Sequence, residues 1–454
     1  MSKMKRILAF LISTAIVLSA AAGCSNSSEG SSGESSNETA SSNTGASTEE
    51  EITLKVMTYM TPPEETTDDP LAEAPLYEQL FQEYTDEHPN VKFEITYTPQ
   101  SYDEKLAALF SSGDGPDLFW YHPGTLSTYA DQGLLQPLDE LIDGPNGMDY
   151  SDVYEGNCMY YKGNFYGWGP VTLPQLLYFN KTLFDEANVE YPNEDWTWDD
   201  LIAAAKDLTK KDGDVTTQYG FQCDEYNRMF LSILRSYGGE VFNDMENPTE
   251  AIYNSEAGVK AVNVLLELVR GIGAAPLPAD PGSQGTIGYR EAFYNGQAAM
   301  ILDGSWTAVL CSAKEGLDYG VALVPKGDKR AAWIAPSAWG ISTQTKYLDT
   351  VWDVWKHMND IEATLLLSYY GKEYAGQVPT WKSATEDSRW GGNEVVDVAI
   401  QQLETAELEP IFSGSNTWYW TNLPNGLQDI VLNEKDVQSA LDEMVQNDNS
   451  DFFS

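Results

Sequence analysis

From Ile52 onward the chain alternates short apolar runs with amphipathic stretches, and this alternation restricts the fold more than any single motif. Ile52 to Met57 reads as a strand that Pro62-Pro63-Glu64-Glu65 stops. Tyr77, Leu80, Phe81 and Tyr84 then recur at helical spacing until His88-Pro89-Asn90 turns the chain into a second strand, Val91 to Tyr97. A helix over Tyr102 to Phe110 leads to a third strand near Asp117 to Tyr121. Strand, helix and strand at this pitch predict α/β lobes with mainly parallel sheets. Later helices are expected at Trp198 to Leu208, capped by Thr197, at Ser255 to Val269, at Thr350 to Met358, and at Asn433 to Val445.

The first 50 residues follow other rules. Lys3, Lys5 and Arg6 precede an apolar run from Ile7 to Val17, and Ala21-Ala22-Gly23 stands directly before Cys24. A basic start, an apolar middle and a small-residue end form a secretory signal. The run is too short for a comfortable transmembrane helix, which needs roughly 20 apolar residues. With its cysteine, the segment resembles a bacterial lipoprotein signal, which implies removal of residues 1–23 and lipidation of Cys24. The alternative is an ordinary cleaved signal with Cys24 incidental. Residues 24–50 are nearly all Ser, Asn, Gly, Glu, Thr and Ala. Such a composition buries too little apolar surface to offset the entropy of ordering, so a disordered tether is expected.

Residues 51–454 suffice for two lobes, each with its own core. Across all 454 residues, 26 Lys and Arg face 70 Asp and Glu, a net charge of −44. A surface of that sign repels nucleic acid and anionic lipid headgroups. Once Cys24 is set aside, Cys158, Cys223 and Cys311 remain, an odd number that indicates no disulfide framework. None is spaced to share a metal, and His88, His122 and His357 stand alone. Buried free thiols, with no metal and no cofactor, are expected.

Several segments carry a family resemblance. Ser112-Gly113-Asp114-Gly115-Pro116-Asp117, followed by Ala130-Asp131-Gln132-Gly133-Leu134-Leu135-Gln136-Pro137-Leu138, resembles a signature of extracellular solute-binding proteins of the maltose-binding-like group. Tyr178-Phe179-Asn180-Lys181, Trp196-Thr197-Trp198, Gly238-Gly239, Tyr294-Asn295-Gly296, Asp303-Gly304-Ser305-Trp306 and Gly320 to Pro325 follow in the matching order. The resemblance implies a periplasmic-binding-protein-like fold of type II: two α/β lobes, a hinge and a ligand cleft between them. The first lobe is placed at 51–167 plus 330–372, and the second at 168–329 plus 373–454. It also implies a monomeric, non-enzymatic receptor that closes on its solute. The solute then passes to a permease pair driven by an ATP-hydrolysing subunit. Only the lipid would touch the membrane, on its extracytoplasmic face, with a Gram-positive surface favoured.

The 13 Trp and 26 Tyr point to the solute class. Sugars present apolar C–H faces edged by hydroxyls, so their sites stack aromatic rings and set polar groups around the rim. By family position the rings expected at the cleft are Trp120, Trp306 and Trp418, then Trp339, Trp168, Trp381 and Trp420. Asp303, Glu225, Asn227 and Tyr59 are candidate polar or rim residues. Asp117 is read as bonding to backbone, and Trp196 and Trp198 as packing.

Two other readings stay open at this point. A lipid-anchored glycoside hydrolase needs two carboxylates about 5–10 Å apart, and no catalytic signature of the G-x-S-x-G or H-E-x-x-H kind occurs. The other reading keeps the fold and changes the solute to a polyamine, which would set carboxylates against the rings.

Overall fold

The computed structural model describes residues 50–65, 73–213, 215–223, 226–275, 288–368, 377–390 and 392–453. The signal, Cys24, most of the tether and Glu225 lie outside them.

Ile52–Thr58, Val91–Tyr97 and Leu118–Tyr121 form the expected strands, with Ile52–Thr58 parallel to both others. Ala338–Ile341 completes this sheet antiparallel to Leu118–Tyr121, pairing Trp339 with Trp120. Successive strand side chains point to opposite faces. Leu54, Val56, Leu118 and Trp120 therefore enter one apolar cluster, and Met57, Phe119 and Tyr121 enter another. Asp117 stands just before the inner strand Leu118–Tyr121, where its carboxylate accepts the Lys55 backbone N–H at 2.8 Å and the Thr345 hydroxyl at 2.6 Å.

The second sheet departs from the parallel expectation. Gln175–Asn180, buried at every position, runs antiparallel to both Met300–Gly304 and Tyr319–Ala322. Parallel pairing reaches this sheet's strands through isolated bridges, such as Gln222 to Ile301. A strand buried on both faces reads as a continuous apolar run in either direction, so composition does not reveal its sense.

Helix Trp198–Leu208 lies where its pattern placed it, with Thr197 accepting the Asp200 N–H at 3.3 Å. The closing helix differs from expectation. One helix ends at Asn433, Glu434 takes a left-handed backbone with φ of 51°, and Asp436 caps a new helix, Val437–Phe452, by accepting the Ser439 N–H at 3.0 Å.

Two stretches sit on the side opposite to the expected lobe boundaries. Ala332–Trp333 pairs with Ala406–Glu407 and belongs to the second core, whereas Trp381 and Ala384 pack into the first. The chain crosses at 335–337, because Ala338 already lies in the first lobe's sheet. A second crossing lies where Val171–Thr172 pairs with Val378–Pro379.

Cys158, Cys223 and Cys311 are free and buried, and burial pushes the Cys158 thiol up to about 12. Among the described residues no Cys, His, Asp and Glu cluster is suited to a metal, and no helix is long and apolar enough to cross a membrane.

Candidate functional site

A cleft of about 290 Å³ opens between the two sheets' lobes, floored by the crossing residues Ala335, Pro336 and Ser337. Tyr59, Tyr102, Asp103, Trp120 and His122 wall it from the first lobe. Arg228, Trp333, Glu409 and Trp420 wall it from the second.

The first wall is fixed by the sheet behind it. Trp120 packs edge to face on Trp339, with centroids 4.9 Å apart, and on Tyr77 at 5.6 Å. Tyr102 locks its backbone, because the Tyr102 hydroxyl donates to the Trp120 carbonyl at 2.8 Å and accepts the Trp120 N–H at 2.9 Å. Tyr59, just past the first strand, is 44% exposed and lies 5.9 Å from the Trp120 ring. His122 has the extended backbone that a following proline favours, and Pro123 opens helix Pro123–Asp131. Burial lowers the His122 pKa, partly countered by Asp103, so the imidazole is neutral at pH 7.

The second wall is built around one cation. The Arg228 guanidinium stands 4.1 Å from the Trp333 ring centroid, 5.4 Å from Trp420 and 5.6 Å from Trp306. Trp333 Nε1–H donates to Glu409 Oε2 at 2.7 Å. Burial raises the Glu409 pKa, while this hydrogen bond and the charges of Arg228 and Arg235 act against that rise.

Of the residues singled out from sequence, Tyr59, Trp120 and Trp420 line the cleft. Trp306 stands beside it, half-buried between the guanidiniums of Arg228 and Arg290, at 5.6 and 5.8 Å. Asp303 is fully buried beneath, paired with Arg290 and accepting the Gly304 N–H at 2.8 Å. Trp339 supports Trp120 from within the core.

Four others are placed away from the cleft. Trp418 is wholly buried against Phe242, Phe412 and Tyr253, and its indole N–H donates to Asp448 at 2.7 Å. Trp168 packs on Tyr150, Trp355 and Trp381 in the first core. The Trp381 N–H donates to the Asn359 carbonyl at 2.9 Å. Asn227 ties its helix to the Tyr419 carbonyl at 3.1 Å. One helical turn, Trp418–Asn422, explains the reversal between the two late tryptophans. Residues two apart on a helix face nearly opposite sides, so burying Trp418 exposes Trp420.

Sequence reasoning missed Tyr102, Asp103, Arg228, Trp333 and Glu409. Arg228 follows Asn227 directly, and that single step along helix Tyr226–Ser236 separates a residue inside the core from one on the cleft wall.

Comparisons with known proteins agree with this architecture. The model of the bacterial extracellular solute-binding protein family matches residues 68–364. A maltotriose-binding protein of Pyrococcus abyssi is 26% identical over 270 residues, 58% of this chain, and the chain spans only 54% of that relative's length. An sn-glycerol-3-phosphate-binding periplasmic protein of Salmonella paratyphi A is 22% identical over 82% of this chain and 88% of its own. Among solved structures, an ABC substrate-binding protein of Listeria monocytogenes in complex with cycloalternan superposes with a TM-score of 0.72 at 22% identity, covering 88% of this chain and 99% of that one. Two α/β lobes, a cleft at their crossing and a family match over most of the folded region lead to one conclusion: the chain belongs to the bacterial extracellular solute-binding proteins, receptors rather than enzymes.

Proposed function

We propose that this protein captures a carbohydrate of oligosaccharide size by closing its lobes, and delivers it to the permease pair of an ATP-driven importer. One observation carries the reading: aromatic residues line the cleft from both lobes, Tyr59 and Trp120 on one side and Trp333 and Trp420 on the other, with the Tyr59 and Trp420 rings exposed and Asp103, His122, Arg228 and Glu409 among them. Rings suit the C–H faces of a sugar, and carboxylates, imidazole and guanidinium suit its hydroxyl edge. Ligand contacts with both walls favour the closed form by as much as they bind it more tightly than the open one. The saccharide ligands named for the Pyrococcus and Listeria relatives favour the same class.

Thermal unfolding of the full chain with maltotriose, longer maltooligosaccharides, spermidine and sn-glycerol 3-phosphate tests this reading. A true ligand at 100 times its Kd adds about 2.7 kcal/mol of stability. Stabilisation by a non-sugar alone would refute the carbohydrate reading.

The lipid anchor at Cys24 belongs to the same proposal. A tethered receptor is held at high effective concentration near its permease. Labelling cells with an alkyne analogue of palmitate should tag the wild-type chain and not Cys24→Ser; equal labelling of both would remove the anchor from this account.

A further inference from the structure

We propose that Arg228 is a built-in cation, filling from within an aromatic and carboxylate box otherwise suited to an amine, and that it thereby directs the receptor toward uncharged solutes. The inference rests on the cleft being the ligand site.

Three indoles, those of Trp333, Trp420 and Trp306, lie 4.1 to 5.6 Å from the Arg228 guanidinium carbon. All three fall inside the roughly 6 Å over which a cation is drawn to a ring face. Glu409, only 4% exposed, lines the same wall and feels the charge of Arg228. Asp103 adds a carboxylate from across the cleft. Several aromatic faces with a carboxylate are the groups by which proteins recognise ammonium and guanidinium ligands.

In this chain the cation is a side chain of helix Tyr226–Ser236. Its backbone attachment places it at the wall without the translational entropy that a bound ligand would lose. An amine entering the cleft meets a like charge on rings already engaged. A neutral polyol meets no such repulsion, and the guanidinium, which only donates hydrogen bonds, suits hydroxyl and ring oxygens. The acidity of the whole chain would draw cations toward the surface, so selection against them has to be local.

Removing the side chain should convert the wall into a cation receptor. The test is thermal shift and calorimetry on full-length wild type, Arg228→Ala, Arg228→Met and Arg228→Lys, with methylguanidinium and spermidine as probes. Arg228→Ala should bind methylguanidinium at least about tenfold more tightly than wild type, and Arg228→Lys, which keeps a charge, should not gain. Arg228→Met retains the apolar stem and carries the same comparison if the alanine variant does not fold. Equal response of wild type and the charge-free variants to both probes would overturn the proposal. Maltotriose titrated in parallel separates the two readings: its failure to bind wild type counts against the carbohydrate assignment, while the response to methylguanidinium still decides the role of Arg228.

Discussion

Trp333 donates its indole N–H to Glu409 at 2.7 Å, joining the strand that enters the crossing to the loop that follows its partner strand. Glu409→Gln keeps an acceptor of the same shape and should leave stability nearly unchanged. Glu409→Ala leaves the buried N–H unsatisfied and should cost about 1–3 kcal/mol. Urea unfolding of the two variants checks the contrast; equal losses would mean that the charge, and not the hydrogen bond, holds the wall.

Trp418 and Trp420 offer a second contrast. Trp418→Ala empties a core position and removes the donor to Asp448, at a cost of about 3–5 kcal/mol. Trp420, 42% exposed at the cleft, should tolerate alanine within about 1 kcal/mol of wild type yet lose most ligand affinity. Unfolding and calorimetry on both variants should separate the roles. A stable Trp418→Ala protein with lost binding would reverse them.

Glu73 gives a pH dependence. Burial pushes its carboxyl up from 4.5 to about 7, against the opposing hydrogen bond from Gln377 Nε2. Between pH 4.5 and 7 the folded chain therefore holds a proton that the unfolded chain releases. Stability falls as pH rises through that window. Glu73→Gln should be more stable than wild type at pH 8 by about 3 kcal/mol and little different at pH 4. A constant difference at both pH values would show that the carboxyl titrates normally.

Asp303, fully buried, is held by Arg290, the Gly304 N–H and the Thr307 hydroxyl. Arg290→Met removes its only ion-pair partner among the described residues and should cost about 3–5 kcal/mol. Arg290 also stacks on Trp306, so ligand affinity should fall with it. Adding Asp303→Asn to Arg290→Met should recover part of the stability; no recovery would place the loss in packing alone.

Much of the first lobe was legible because its signals are local. Alternation in Ile52–Thr58, the breaker at Pro89 and the apolar spacing of Tyr77, Leu80, Phe81 and Tyr84 each act within a few residues. Strand sense in the second sheet was not legible, because Gln175–Asn180 is buried on both faces and its partners arrive from more than a hundred residues away. The same limit governed the tryptophans. Composition announced an aromatic cleft, but whether Trp418 or Trp420 faces it depends on helix phase, and Trp168 and Trp381 pack edge to face in the first core. Arg228 carried no sequence signal at all. Its role comes from three indoles drawn from distant segments.

Calorimetric titration of the full chain with maltotriose and longer maltooligosaccharides, with spermidine and sn-glycerol 3-phosphate alongside, tests the central claim most directly. The account predicts saturable one-to-one binding of a saccharide that Trp420→Ala abolishes, with no heat from the amine or the phosphate. Saturable binding of spermidine or sn-glycerol 3-phosphate, with every saccharide silent, would contradict it.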